Sequence, residues 1–195
     1  MVRIALVDPT TAAGKAKDLL TAIQSKLGFV PNMMRGLAQS PAALKAYLDF
    51  SGALGGGVLP ARVRELIALQ VAEVNGCAYC LAAHTAIGGM LGAPTAELEH
   101  ARHGQSDDPK IAALLALARE LVLRRGELRD ADLRLARQAG ISDAELVEVI
   151  GAVALNVFTN YFNHVAATPI DFPEVAPLGA PTAKACTSTD CGSAS

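Results

Sequence analysis

Glu65-Leu-Ile-Ala-Leu-Gln-Val-Ala-Glu-Val-Asn-Gly-Cys77-Ala-Tyr-Cys80-Leu-Ala-Ala-His84 is the stretch that decides how this chain reads. In and just before it, Val63, Leu66, Ile67, Leu69, Val71 and Val74 recur at helical spacing and make a wide apolar face, with Arg62, Arg64 and Glu73 largely off it. Asn75-Gly76 interrupts that helix. A second one starts there, with Asn75 or Gly76 as its cap, and runs through His84 to about Leu91, where Gly92 and Pro94 stop it. At about 100° per residue, Cys77 and Cys80 lie one turn apart and His84 one turn further along the same face. Both thiols fall in the first turn, where unpaired backbone N–H groups and the positive end of the helix dipole favour a thiolate. The spacing therefore predicts an exposed helix start that gathers two sulfurs and an imidazole, with at least one cysteine of lowered pKa.

A thiolate with a second cysteine in reach supports two-step chemistry: attack on a peroxide or disulfide, then closure of an internal disulfide. His84, with a reference pKa near ~6.5, can accept the thiol proton and return one to a leaving hydroxide. Glu65 reaches the site only if Asn75-Gly76 folds the two helices together, and it then orients the imidazole or stores the proton. Two blander readings stand beside this one. The cysteines are buried structural thiols, or Cys77, Cys80 and His84 supply three ligands of a zinc site that Cys186 or Cys191 completes. Those last two cysteines are also placed to exchange disulfides with the first pair. Spacing alone does not rank the two sulfurs of the pair.

Outward from this stretch, alanine and leucine dominate and β-branched runs are rare, so helices are the default. They are predicted at Thr11 to Leu27, at Pro41 to Leu54 behind a Ser40 cap, and at Thr95 to His103, with a loop around Pro31. Others follow at Pro109 to Arg125, at Arg129 to Ala139 with Asp130 as a cap, and at Ser142 to Ala167 behind a Ser142/Glu145 capping box. Gly55-Gly56-Gly57 reads as a flexible connection rather than a phosphate cradle, because no strand precedes it and Leu59-Pro60 follows. Past Pro169 the sequence turns to Pro, Gly, Ser and Thr. The division is thus a helical domain over residues 1–168 and an extended or disordered tail over 169–195. His164 reads as a hydrogen-bonded core or interface residue, and His100 and His103 as solvated groups near a helix end. Glu73 reads as surface charge, and Met33 and Met34 as packing residues or the lining of an entrance.

The chain has 195 residues, 51% of them hydrophobic, enough for one buried core and too few for two ordinary domains. Its 17 basic residues are scattered against 19 acidic ones, which leaves no footprint for nucleic acid. Apolar stretches are broken by Glu, Arg, Asn or Gly before the roughly 20 residues of a membrane span, so a soluble cytoplasmic protein is expected. A close cysteine pair in a reducing compartment is more often a redox couple or half a metal site than a brace.

The pattern Glu65, eleven residues, Cys77, two residues, Cys80, three residues, His84 resembles the alkylhydroperoxidase D and carboxymuconolactone decarboxylase-like superfamily. Val30-Pro-Asn-Met33, Leu59-Pro60-Ala61-Arg62, the segment from Ala154 to His164 and Ile170-Asp-Phe-Pro173 resemble its peroxidase-related branch, so the likeness covers about residues 25–175. The resemblance implies an all-α, single-domain orthogonal helical bundle that assembles as a homo-oligomer, a trimer or hexamer. It implies peroxidatic Cys80, resolving Cys77 and a proton relay through Glu65 and His84. A hydroperoxide is the implied substrate and a dithiol protein or small molecule the reductant, with no metal, flavin or nucleotide cofactor. Tyr79 stands where peroxidases of the family carry His; it can donate a hydrogen bond, but a reference pKa near ~10 suits it poorly to relay protons at neutral pH. A redox-sensing or disulfide-shuttling adaptor and a carboxymuconolactone decarboxylase-type lyase are the alternatives.

Overall fold

The structure, a computed structural model, describes residues 2–176 and 178. Among these it is all-helical with no strand, in the chain order α1 (Gly14–Leu27), α2 (Asn32–Leu37), α3 (Pro41–Gly55), α4 (Ala61–Asn75), α5 (Ala78–Met90), α6 (Thr95–Arg102), α7 (Pro109–Leu123), α8 (Asp130–Gln138) and α9 (Asp143–Ala166). The all-α expectation holds. α4 is the centre: it packs on α5, α6, α7 and α9, and its residues Leu66, Ile67, Leu69, Val71 and Ala72 are completely buried. One hydrophobic cluster joins α4 to Leu20 and Ile23 of α1, Leu44 of α3, Leu81 of α5, Leu115 of α7 and Val149 of α9.

Most helix ends follow local chemistry. Ser40 Oγ accepts from the Ala43 N–H ahead of Pro41, and Asp108 accepts from Lys110 and Ile111 ahead of Pro109. Ser142 and Glu145 form the expected capping box. In α8 the cap is Arg129 rather than Asp130, because the Asp132 carboxylate reaches back to the Arg129 N–H at 3.0 Å.

Two segments depart from expectation. Residues 32–37, read as loop, form α2. Its start lacks a local cap; the Asp171 carboxylate accepts the Asn32 N–H at 2.7 Å, and Asn32 Nδ2 donates to the Pro169 carbonyl at 3.2 Å. The beginning of the tail is thus extended but fastened, with Ile170 and Phe172 packed on the core and Phe172 edge-on to both Phe29 and Tyr79. Glu73, read as surface charge, forms an ion pair at 2.7 Å with buried Arg102. Arg102 also donates to the Ala176 carbonyl, and the Leu178 N–H donates to Glu73. Residues 179–195, with Cys186 and Cys191, lie outside the described residues.

The glycine loop before α4 is pinned rather than flexible. The Glu148 carboxylate of α9 accepts the N–H groups of Val58 and Leu59 at 2.7 and 2.9 Å, filling the place an anion would take. α9, 24 residues long, is apolar enough by length and composition to cross a bilayer, contrary to the reading that no stretch is. Here it contributes to the core, and its inward face carries Asn156, Asn160 and Asn163.

Candidate active site

Gly76 makes the turn on which the site depends. It adopts φ +65°, a left-handed conformation that glycine reaches without a Cβ clash, and ends α4. The next N–H, of Cys77, returns to the Ala72 carbonyl, and the chain reverses into α5. The N-cap of α5 is therefore Cys77 itself, neither Asn75 nor Gly76: its Sγ accepts the Cys80 N–H at 3.4 Å, as a serine hydroxyl does in an ordinary cap. That geometry puts the two sulfurs 2.7 Å apart. It also folds α5 back along α4, so that His84 Nδ1 meets Glu65 Oε2 at 2.7 Å.

The helix start is buried rather than exposed: Cys77 and Cys80 are 1% and 2% accessible. The cover is α9, whose amides at 156, 160 and 163 recur at one-turn spacing and form its inward face. Asn163 Nδ2 donates to Cys80 Sγ at 3.3 Å, Asn160 Oδ1 accepts from Asn75 at 2.8 Å, and Asn156 is turned toward His84. The stretch around His164 is visibly amide-rich in the sequence, Asn163 included, but nothing local ties those amides to the cysteines. A polar residue every turn on the buried face of an apolar helix was the signal.

These contacts separate the two thiols. The hydrogen bond from Cys77, against the cost of burial and with help from the His84 charge and the Asn163 and Asn160 amides, lowers the pKa of Cys80 from 9.0 to about 7. The same hydrogen bond, reinforced by burial, raises that of Cys77. Cys80 is thus the anionic partner and Cys77 the proton donor. For His84, burial disfavours the charged ring, but the Glu65 carboxylate and its hydrogen bond outweigh that and raise its pKa above 6.5. Alkylation of the reduced protein by iodoacetamide should reach half its maximal rate near pH 7 at Cys80 while Cys77 stays unmodified. Peptide mass spectrometry reads both sites, and a half-point near pH 9 contradicts the assignment.

Cys80, Glu65 and His84 line a cavity of about 450 Å³, together with Met33 and Met34, as a lining role for the two methionines required. Tyr47 of α3, which the sequence did not single out, also lines it; burial and the charges of Glu65 and Cys80 push its phenol up to about 12, leaving a protonated donor. Tyr79 is placed differently. Its Oη accepts the Met33 N–H at 3.1 Å, and its ring lies edge-on to Phe172, outside the cavity lining. Burial, opposed by the Met33 N–H and aided by the Asp171 carboxylate, raises its pKa. Tyr79 therefore braces the wall made by α2 and residues 170–172 instead of facing the sulfurs.

His164 is exposed on α9, not in the core, and His100 and His103 are exposed as read. Among the described residues no group of three or more His, Cys, Asp or Glu is arranged to hold a metal ion.

Residues 41–122 match the model of the carboxymuconolactone decarboxylase family. No curated protein matches the sequence. Among solved structures, the alkylhydroperoxidase AhpD core of a peroxidase-related protein from Ralstonia eutropha JMP134 superposes with a TM-score of 0.79 at 23% identity, covering 87% of this chain and 92% of that one. A peroxidase-related protein from Silicibacter sp. TM1040 gives 0.76 at 23% identity over 90% and 91%. The debrominase Bmp8 in complex with 2,3,4-tribromopyrrole gives 0.75 at 17% identity over 88% and 92%. At these identities the structural likeness speaks for the fold. The segment that holds Glu65, Cys77, Cys80 and His84 thus matches the carboxymuconolactone decarboxylase family, and the helical fold around it is the one seen in the alkylhydroperoxidase AhpD core.

Proposed function

We propose that the chain is a thiol-dependent peroxidase that reduces hydrogen peroxide or organic hydroperoxides through Cys80 and Cys77. The observation that carries this reading is the pairing of two free sulfurs 2.7 Å apart, one of which, Cys80, has a lowered pKa and lies on the wall of a cavity that also holds the His84–Glu65 pair. The Cys80 thiolate attacks the terminal peroxide oxygen, the O–O bond breaks, and Cys80 becomes a sulfenic acid while the alkoxide takes a proton from the His84 imidazolium and leaves as alcohol. Cys77 then gives up its proton and attacks the Cys80 sulfur. The S–O bond breaks, water departs with that proton, and a disulfide remains. A dithiol reductant restores both thiols by exchange and is itself oxidised to a disulfide. Two free thiols in a dithiol-driven cycle suit a reducing compartment such as the cytoplasm.

The test is consumption of cumene hydroperoxide by the reduced protein with dithiothreitol or dihydrolipoamide as the only electron source. Catalytic turnover, with a Cys77–Cys80 disulfide trapped when the dithiol is omitted, supports the reading; no consumption above the dithiol blank overturns it. Burial of both sulfurs favours one other reading, a redox sensor that is oxidised once and passes its disulfide on. Stoichiometric oxidation without turnover identifies that case.

Self-association belongs to the same proposal. Val147, Ile150, Phe158, Tyr161 and Val165 are 42–66% exposed and form one outward stripe on α9, opposite its amide face. A second copy of the chain is the occupant that fits this stripe, since the same apolar patch meets itself across a twofold axis. Sedimentation should show an oligomer, and Ile150→Glu with Val165→Glu should lower its order without unfolding the chain.

A further inference from the structure

Four charged side chains line the cavity beside Cys80: Lys26, Arg64, Glu65 and His84. Glu65 and His84 are spent on each other at 2.7 Å. Arg64 donates to the Leu59 carbonyl, and neither it nor Lys26 has a carboxylate within salt-bridge distance among the described residues. The rest of the lining is largely apolar, including Leu27, Phe29, Met34, Leu54, Ile87 and Leu155. A cavity of about 450 Å³ is far larger than hydrogen peroxide requires.

A partly buried guanidinium beside apolar side chains, with a backbone carbonyl as its partner, is a charge without a counter-charge, and such a group gains when an anion arrives. Its planar fork matches a carboxylate bidentately, and exposed Lys26 in the lining of the same cavity adds attraction without demanding one geometry. We propose that the cavity takes an amphipathic monoanion: an organic hydroperoxide with an apolar body against the aliphatic and aromatic wall and a carboxylate paired with Arg64 and Lys26. The hydroperoxide part rests on the peroxidase reading above; the anion part rests on the cavity alone. Arg64 adjoins Glu65 on α4, so the cation that holds the acid end and the carboxylate that holds His84 are neighbours on one rigid helix.

The two parts are tested apart. Octanoate and octanol, which share an apolar body and contain no peroxide, are titrated into the reduced protein by calorimetry. Octanoate should bind about tenfold more tightly, the ratio one charge-assisted hydrogen-bond pair sustains, and the preference should shrink as salt is raised. Lys26→Gln with Arg64→Gln should bring octanoate down to the affinity of octanol while octanol binding stays as in the wild type, which also reports that the cavity is intact. Because Arg64→Gln loses the Leu59 contact and can unfold the chain, Lys26→Gln alone serves as the second arm, with about threefold weaker octanoate binding. Equal affinity of the wild type for octanoate and octanol overturns the anion site, as does equal weakening of both by Lys26→Gln. Turnover is then compared between a hydroperoxy fatty acid and its methyl ester. A higher kcat/KM for the acid completes the proposal; no turnover of either, with the octanoate preference intact, overturns the peroxidase reading and leaves the anion site standing.

Discussion

Cys80→Ser should reduce catalysed hydroperoxide consumption by at least about 10³-fold, to the rate of the dithiol alone. The change exchanges one atom for a smaller one, so the packing against α9 survives and Asn163 can donate to a hydroxyl as it does to sulfur. What disappears is the anion. A thiol whose pKa is lowered to about 7 is roughly half ionised at neutral pH, whereas a serine hydroxyl has no appreciable anionic fraction there and no sulfenic state to enter. Cys77 does not take over, because it lies outside the cavity lining and burial still raises its pKa once the Cys80 thiolate is gone. The companion variant Cys77→Ser separates the two sulfurs. With no dithiol present it should consume about one equivalent of hydroperoxide and stop at a Cys80 sulfenic acid, with no internal disulfide formed. In Cys77→Ala, which leaves no donor at that position, Cys80 should titrate above pH 7, since the donated hydrogen bond is the largest cause of the lowering. Peroxide assays on both variants decide it, and wild-type rates in Cys80→Ser would sink the peroxidase assignment.

The helices that carry this chemistry were legible because their signals are local. The apolar period of residues 63–74, the Asn75-Gly76 break and the one-turn spacing from Cys77 to Cys80 to His84 each lie within a few residues of the structure they specify. Proximity of Glu65 to His84 was conditional on the turn at Gly76, and its positive φ supplies the condition. What stayed hidden is nonlocal. α2 has six residues and is capped by Asp171 from 139 positions away, so no window around Pro31 contains its reason to be helical. Glu73 reads as surface charge until Arg102 is folded against it. Burial of the two thiols depends on α9, about eighty residues downstream, and exposure cannot be read from a helix start alone. Tyr79 was linked to the site through its place between the cysteines. On a helix, however, adjacent residues diverge by about 100°, and the phenol leaves the sulfurs to meet the Met33 amide. The motifs at 30–33 and 170–173, which read as separate marks of resemblance, bond to each other and build one wall of the cavity.

Glu65→Gln should slow peroxide reduction at neutral pH by about 10²-fold and change the shape of the pH profile as well as its height. Glutamine keeps the size and a hydrogen-bonding oxygen for His84, so the substitution removes little except charge. The consequences run in a fixed direction. In the wild type Cys80, with its pKa lowered to about 7, is a thiolate above that pH, and His84, with its pKa raised, is an imidazolium below its own. Thiolate and proton donor coexist between those two limits. Without the carboxylate, only the Cys80 charge and the Asn156 amide oppose burial at His84, its pKa falls, and the upper limit moves down. A neutral ring no longer stabilises the Cys80 anion, so the lower limit moves up. The window closes from both sides, and raising the pH restores the thiolate but not the donor. A merely structural role for Glu65 would scale the profile uniformly and leave both limbs in place. The carboxylate acts through the imidazole, so Glu65→Gln combined with His84→Ala should be no slower than His84→Ala alone. Additive losses in that double variant, or an acidic limb that stays near pH 7 in Glu65→Gln, would mean that Glu65 reaches the chemistry by some route other than His84.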